Sequence, residues 1–120
     1  LELGGKAPLV VLDDADIEDA VNGAAFGCFA NSGQICMSTE RIIVDAKVAD
    51  EFVHKLTAEM KATRYGDPLG DQPIDMGPII NKAGVSKIKA LVDSALAAGA
   101  EAVTGGCCAA PRASAVAPAW

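Results

Sequence analysis

The 120-residue sequence carries a single histidine and only ten basic residues against sixteen acidic ones, a formal net charge of −6. Its lysines and arginines are scattered and build no patch, which argues against nucleic acid as a partner. No run approaches the roughly 18 consecutive apolar residues of a bilayer-spanning helix, and no charged-then-apolar leader is visible, so no membrane partner is expected. The four cysteines are Cys28, Cys36, Cys107 and Cys108. In a chain of this size without a secretory signal they do not read as a disulfide framework, and a reducing compartment, the cytoplasm, is the simpler setting. Cys28 and Cys36 are too far apart for a C-x2-C hook and His54 alone could join them, so no metal site is expected.

Hydrophobic residues make up 51% of the chain, enough for a globular body with a moderate core. The chain opens on Leu1 rather than Met, directly inside a motif, and reads as an internal piece of a longer protein. Functional expectations therefore concern that parent first.

The order of elements is that of an α/β protein with a mainly parallel sheet. Pro8-Leu9-Val10-Val11-Leu12 is a short apolar run suited to a buried parallel strand. A helix capped by Asp14 or Asp16 should follow, with Glu18 and Asp19 in its first turn and Ile17, Val21 and Ala24 or Ala25 at helical spacing. Asn22-Gly23 could make a hairpin turn, but its alanine-rich flanks lack the alternation of strands. Gly23 and Gly27 are expected to let another backbone approach closely. Arg41 to Asp45 reads as the next strand. A second helix from near Val48 would bury Val48, Phe52, Val53, Leu56 and Met60. Residues 65–80 hold too many glycines and prolines for a regular element. A third helix, about 81–98, would bury Val85, Ile88, Leu91, Val92 and Leu96 and stop at Gly99. Glu101 to Thr104 reads as a strand. Residues 1–106 thus form one α/β segment, and 107–120 an irregular Ala/Pro/Ser-rich tail whose composition resembles readthrough or a shifted frame.

The chemistry centres on Cys36, in the run Asn31-Ser32-Gly33-Gln34-Ile35-Cys36-Met37-Ser38-Thr39. A cysteine in a Gly/Ser/Asn-rich loop between helix and strand can be presented to a substrate rather than packed away. An unassisted thiol is only a few per cent thiolate at neutral pH, so a nucleophile needs help. The backbone amides of the 33–36 turn and a water relay to the carboxylate of Glu2 are the candidates. Cys28, flanked by Gly27 and Phe29 in the helix, reads as an inert packed thiol. Gly5-Lys6 is no phosphate loop, because Ala7 stands where Ser or Thr is needed and the preceding glycine pattern is missing.

Glu2-Leu3-Gly4-Gly5-Lys6, followed 34 residues after the Glu by Gly33-Gln34-Ile35-Cys36, resembles the aldehyde dehydrogenase superfamily. The wording from Gly33 to Arg41 is most similar to the aromatic aldehyde branch that includes salicylaldehyde and vanillin dehydrogenases. The resemblance implies a partial catalytic domain of the aldehyde dehydrogenase fold and oxidation of a small-molecule aldehyde with NAD or NADP. It assigns Cys36 as the nucleophile that forms a thiohemiacetal and then a thioester, its N–H as one oxyanion donor, and Glu2 as the base for hydrolysis. Leu3 and Gly4 would lie near the nicotinamide, and Met37 could line the aldehyde pocket. The family's second oxyanion donor, an asparagine, its dinucleotide-binding domain and its Glu-x-Phe-Gly-Pro motif do not occur in this segment. The parent would be a homodimer or homotetramer. A CoA-acylating relative, or a non-catalytic piece with only an oligomer-contact role, are the rival readings; retention of Glu2 favours hydrolysis.

Overall fold

The structure, a computed structural model, describes Leu1 and residues 3–105. The described chain divides into two compact units, Leu1–Ala62 and a second beginning at Thr63.

The first unit is a β-α-β crossover with a helix added. Strand β1 (Ala7–Val11) leads into helix α1 (Ile17–Phe29), strand β2 (Thr39–Val44) and helix α2 (Ala49–Ala62). The two strands pair in parallel, with Val10 opposite Ile43 and Val11 opposite Val44. Parallel neighbours need a crossover between them, and α1 supplies it. Asp16 caps α1: its carboxylate accepts from the Asp19 N–H at 3.1 Å, and the acids of the first turn favour the positive helix end. The helix runs through Asn22-Gly23, as the alanine-rich flanks require.

Val11, Val21, Ala24, Phe52, Leu56 and Met60 form the core of this unit, with Leu9, Ile42 and Val44 packed against it. Phe52, Leu56 and Met60 recur every fourth residue and so share one face of α2. Val53, expected on that face, is exposed; one residue past Phe52, it is turned about 100° around the helix. Lys55 pairs with Glu18 and ties α2 to α1, while Lys47 pairs with Asp13. These pairs are solvent-accessible and orient more than they stabilise. The other sheet face, carrying Val10 and Ile43, is exposed.

In the second unit the loop of residues 65–80 is irregular, as its breakers dictate, but it is closed at its neck. Arg64 donates from Nε and Nη2 to the two carboxylate oxygens of Asp75 at 2.9 and 2.6 Å, and its own N–H reaches Asp75 at 2.9 Å. Hydrogen bonding to Arg64 holds the Asp75 carboxyl well below the usual carboxylate range. Helix α3 (Lys82–Ala97) starts on Asn81, whose side chain accepts from the Gly84 N–H at 2.8 Å. It ends at Gly99 in a left-handed conformation, with the Ala100 N–H on the Ala95 carbonyl and the Gly99 N–H on the Leu96 carbonyl, the Schellman arrangement.

Two expectations for this unit fail. No residue of α3 is buried: Val85, Ile88 and Val92 are half-buried, while Leu91 is 61% exposed and Leu96 is exposed too. The apolar stripe exists in the sequence, but no described element covers it. Residues 101–104 are not a strand, because among the described residues no strand lies beside them to complete a ladder. The expected tail, 107–120, lies outside the described residues.

Candidate active site

Two parallel strands begin at the same edge of their sheet. The segments that precede them must therefore emerge side by side, however far apart they are in sequence. Here β1 follows Leu3-Gly4-Gly5-Lys6 and β2 follows the cysteine turn, and Ala7 pairs with Thr39. The result is a close approach of backbones: a Cβ added to Gly5 would overlap the carbonyl oxygen of Cys36.

The turn that carries Cys36 is held by its own side chains. Asn31, Ser32 and Gly33 take successive left-handed conformations, with φ of 50°, 58° and 72°. Asparagine and glycine tolerate this region, whereas for serine it costs roughly 1–2 kcal/mol. The pair Asn31 and Gln34 offsets that strain: the Gln34 N–H and side-chain amide donate to the Asn31 carbonyl, both at 3.1 Å, and the Asn31 amide donates to the Gln34 carbonyl at 3.2 Å. The Ser38 N–H then closes on the Ile35 carbonyl at 3.0 Å. Cys36 is left exposed, with Met37 beside it 77% exposed. The Cys36 N–H donates to no backbone acceptor among the described residues.

A second glycine seats the turn from the helix side. A Cβ on Gly27 would come within 2.7 Å of the Thr39 hydroxyl, so α1 can lie against the start of β2 only without a side chain there. Gly27 thus permits a close approach, though to a side chain rather than a backbone. Gly23 does not: nothing lies within 4 Å of a Cβ built on it. The Gly4-Gly5 pair is likewise split in role. Gly4 is exposed and left-handed, with φ of 70° and open space beside it, whereas Gly5 is packed against the cysteine turn. Sequence reasoning overlooked this use of Gly5; the expected parallel pairing of the two strands was the signal that could have found it.

Leu3, the other expected cofactor contact, is exposed. Glu2, the expected base, lies outside the described residues. Among those described, no group of three or more His, Cys, Asp and Glu side chains could hold a metal ion, and no helix is long and apolar enough to cross a membrane. His54 is exposed on α2.

The two described cysteines differ sharply. Cys28 is 4% exposed, and burial pushes its thiol up to about 11. A thiol whose folded value is raised stabilises the fold below its unfolded value near 9, and that contribution is lost as the pH climbs towards 11. Thiolates, not thiols, are alkylated. Brief iodoacetamide treatment of the intact protein near pH 8, read by peptide mapping, should therefore label Cys36 at least roughly 100-fold faster than Cys28. Equal rates would show that Cys28 is not sealed in the α1 interface.

The family model for the aldehyde dehydrogenase family matches residues 1–118. The chain belongs to the aldehyde dehydrogenase family. Within the family it is 58% identical over 106 residues to a vanillin dehydrogenase of Pseudomonas fluorescens and 51% identical over 106 residues to a salicylaldehyde dehydrogenase of Pseudomonas putida. Each match covers 88% of this chain and 22% of the relative, so the chain spans about a fifth of the length of the curated relatives it matches. The fold is similar to that of a betaine aldehyde dehydrogenase point mutant from Staphylococcus aureus, solved in complex with NAD+ and with a BME-modified cysteine. That comparison gives a TM-score of 0.92 and 33% identity over 99% of this chain and 25% of the other. The β-α-β unit is thus part of an aldehyde dehydrogenase fold, and its sheet is a partial one.

Proposed function

We propose that this chain is the covalent-chemistry segment of an NAD(P)-dependent aldehyde dehydrogenase that oxidises an aromatic aldehyde to its carboxylic acid. One observation carries the reading: the parallel register that sets Gly5 on the carbonyl of Cys36. It brings the Leu3-Gly4-Gly5-Lys6 run to the edge of the cysteine turn. Vanillin and salicylaldehyde dehydrogenases among the relatives support the aromatic substrate class.

In this reading the Cys36 thiolate attacks the aldehyde carbon. A C–S bond forms, and the carbonyl oxygen becomes an oxyanion that the Cys36 N–H stabilises. Gly4 and Leu3 fit a nicotinamide, since the left-handed, exposed backbone at Gly4 has no side chain to block a flat ring. When bound, that group supplies the hydride acceptor that protein side chains cannot. The chain is left with an acyl thioester on Cys36. Glu2 takes a proton from water, the water oxygen attacks the thioester carbon, and the acid leaves as the thiol is restored. Residues 1–106 act as part of a catalytic domain in a cytoplasmic homodimer or homotetramer, with the rest of the parent supplying the remaining cofactor contacts.

Trapping tests this directly. The intact Glu2→Gln enzyme, mixed with NAD+ and vanillin or salicylaldehyde and quenched in acid, should carry an acyl mass on the peptide containing Cys36, while the native enzyme carries much less. An enzyme that turns over substrate yet never shows that adduct would remove Cys36 from the nucleophile role. An unchanged adduct level in Glu2→Gln would remove Glu2 from the base role.

A further inference from the structure

Where β1 meets β2 at the site edge, the ladder is broken. Ala7 pairs with Thr39 but Pro8 pairs with Arg41, so Glu40 is an extra residue in β2. Proline has no N–H to give, and a bulge leaves its extra residue outside the ladder. The backbone bonds that would pin the start of β1 are therefore interrupted just below the Cys36 turn.

Side chains take their place. Arg41 Nη2 donates to the Lys6 carbonyl at 3.2 Å, and the Lys6 ammonium pairs with the carboxylate of Glu40, the extra residue itself. Lys6 is thus gripped at both its backbone and its side chain, one residue from the Gly5 contact with Cys36. Both members of the ion pair are solvent-accessible, so it adds little to stability. Its effect is on placement: bulges re-aim side chains beside active sites, and this one turns an acid towards the lysine that ends the motif.

We propose that Glu40, Arg41 and Lys6 form a latch that holds Leu3 to Lys6 in register with the cysteine turn, making them positioning residues for release of the acyl group. The inference rests on the reading of Cys36 as nucleophile and Glu2 as base. A base four residues from its anchor gains from a fixed anchor in the step it serves, water activation, and not in the thiolate's attack.

The test uses the intact enzyme with Lys6→Met, Glu40→Gln and the exchanged pair Lys6→Glu/Glu40→Lys, followed by rapid mixing and by amide hydrogen exchange of the peptide spanning Leu3 to Lys6. Each single variant should keep the native amplitude and rate of the first turnover and lose about fivefold in steady-state rate, the most an accessible pair commonly supplies. The exchanged pair should return to within about twofold of native. Amide protection of the peptide should fall in the single variants and return in the exchanged pair. Unchanged steady-state rates with unchanged protection overturn the latch. So does a loss of first-turnover amplitude in step with the steady-state rate, which marks lost folded enzyme, or a failure of the exchanged pair to recover. If the native enzyme forms no adduct on Cys36, the functional reading has failed instead, and the exchange measurement alone still decides whether the latch holds the segment.

Discussion

Cys36→Ala in the intact enzyme is expected to lower kcat by at least about 10⁴-fold, the scale on which a covalent nucleophile is lost, while NAD affinity stays nearly unchanged. The size of the effect follows from what the residue does not do. Cys36 is exposed and buries no core surface, and its turn is held by Asn31, Gln34 and the Ser38 N–H rather than by the thiol. Removing sulfur therefore removes chemistry and leaves the turn standing. Cys36→Ser should be almost as inactive, because at neutral pH a hydroxyl is a far weaker nucleophile than a thiolate. Near-normal turnover by Cys36→Ala would exclude the central assignment.

The second large effect is expected from a methyl group. In Gly5→Ala the new Cβ meets the carbonyl oxygen of Cys36, backbone against backbone, with no flexible side-chain end to swing aside. The strand start cannot retreat freely, since Lys6 is bound by Glu40 and Arg41. The cysteine turn must move instead. Displacements of about 1 Å at a reacting centre cost on the order of 100-fold in rate, and kcat of Gly5→Ala should fall by at least that much. Gly23→Ala is the control: its Cβ enters open space within α1, and it should raise stability by about 0.5–1 kcal/mol with kcat unaltered. Melting curves and steady-state kinetics of both variants check the pair of expectations. A Gly5→Ala enzyme within twofold of native turnover would mean that the close approach is absent from the working protein.

Sequence reading succeeded where the determining interaction is local. The cap of α1 at one of the two acids offered for it, Asp16, the spacing of Phe52, Leu56 and Met60, the stop at Gly99 and the breaker-rich loop all depend on neighbours within a few residues. It failed where the partner is distant or outside the described chain. The stripe on α3 was legible as apolar but not as uncovered by the described elements, and residues 101–104 have strand-forming character with no strand beside them among the described residues. Gly23 and Gly27 look alike in sequence; only the packing of α1 on β2 separates open space from a contact with Thr39. At the candidate site, the exposed cysteine turn was legible from its composition. The grip of Glu40 and Arg41 on Lys6 was not, because it arises from one extra residue in the pairing of β2 with β1.

The parallel register also separates what in this chain is metric from what is filler. The alignment of Ala7 with Thr39 fixes how the two motifs face one another, while α1 between them has to complete a crossover, bury Val21, Ala24 and Cys28 and keep Gly27 bare against Thr39. The solvent side of α1 is thus open to sequence drift without moving one motif against the other. The short stretches from Gly5 to Ala7 and from Cys36 to Thr39 act as rulers, and a single inserted or deleted residue in either would reset the site.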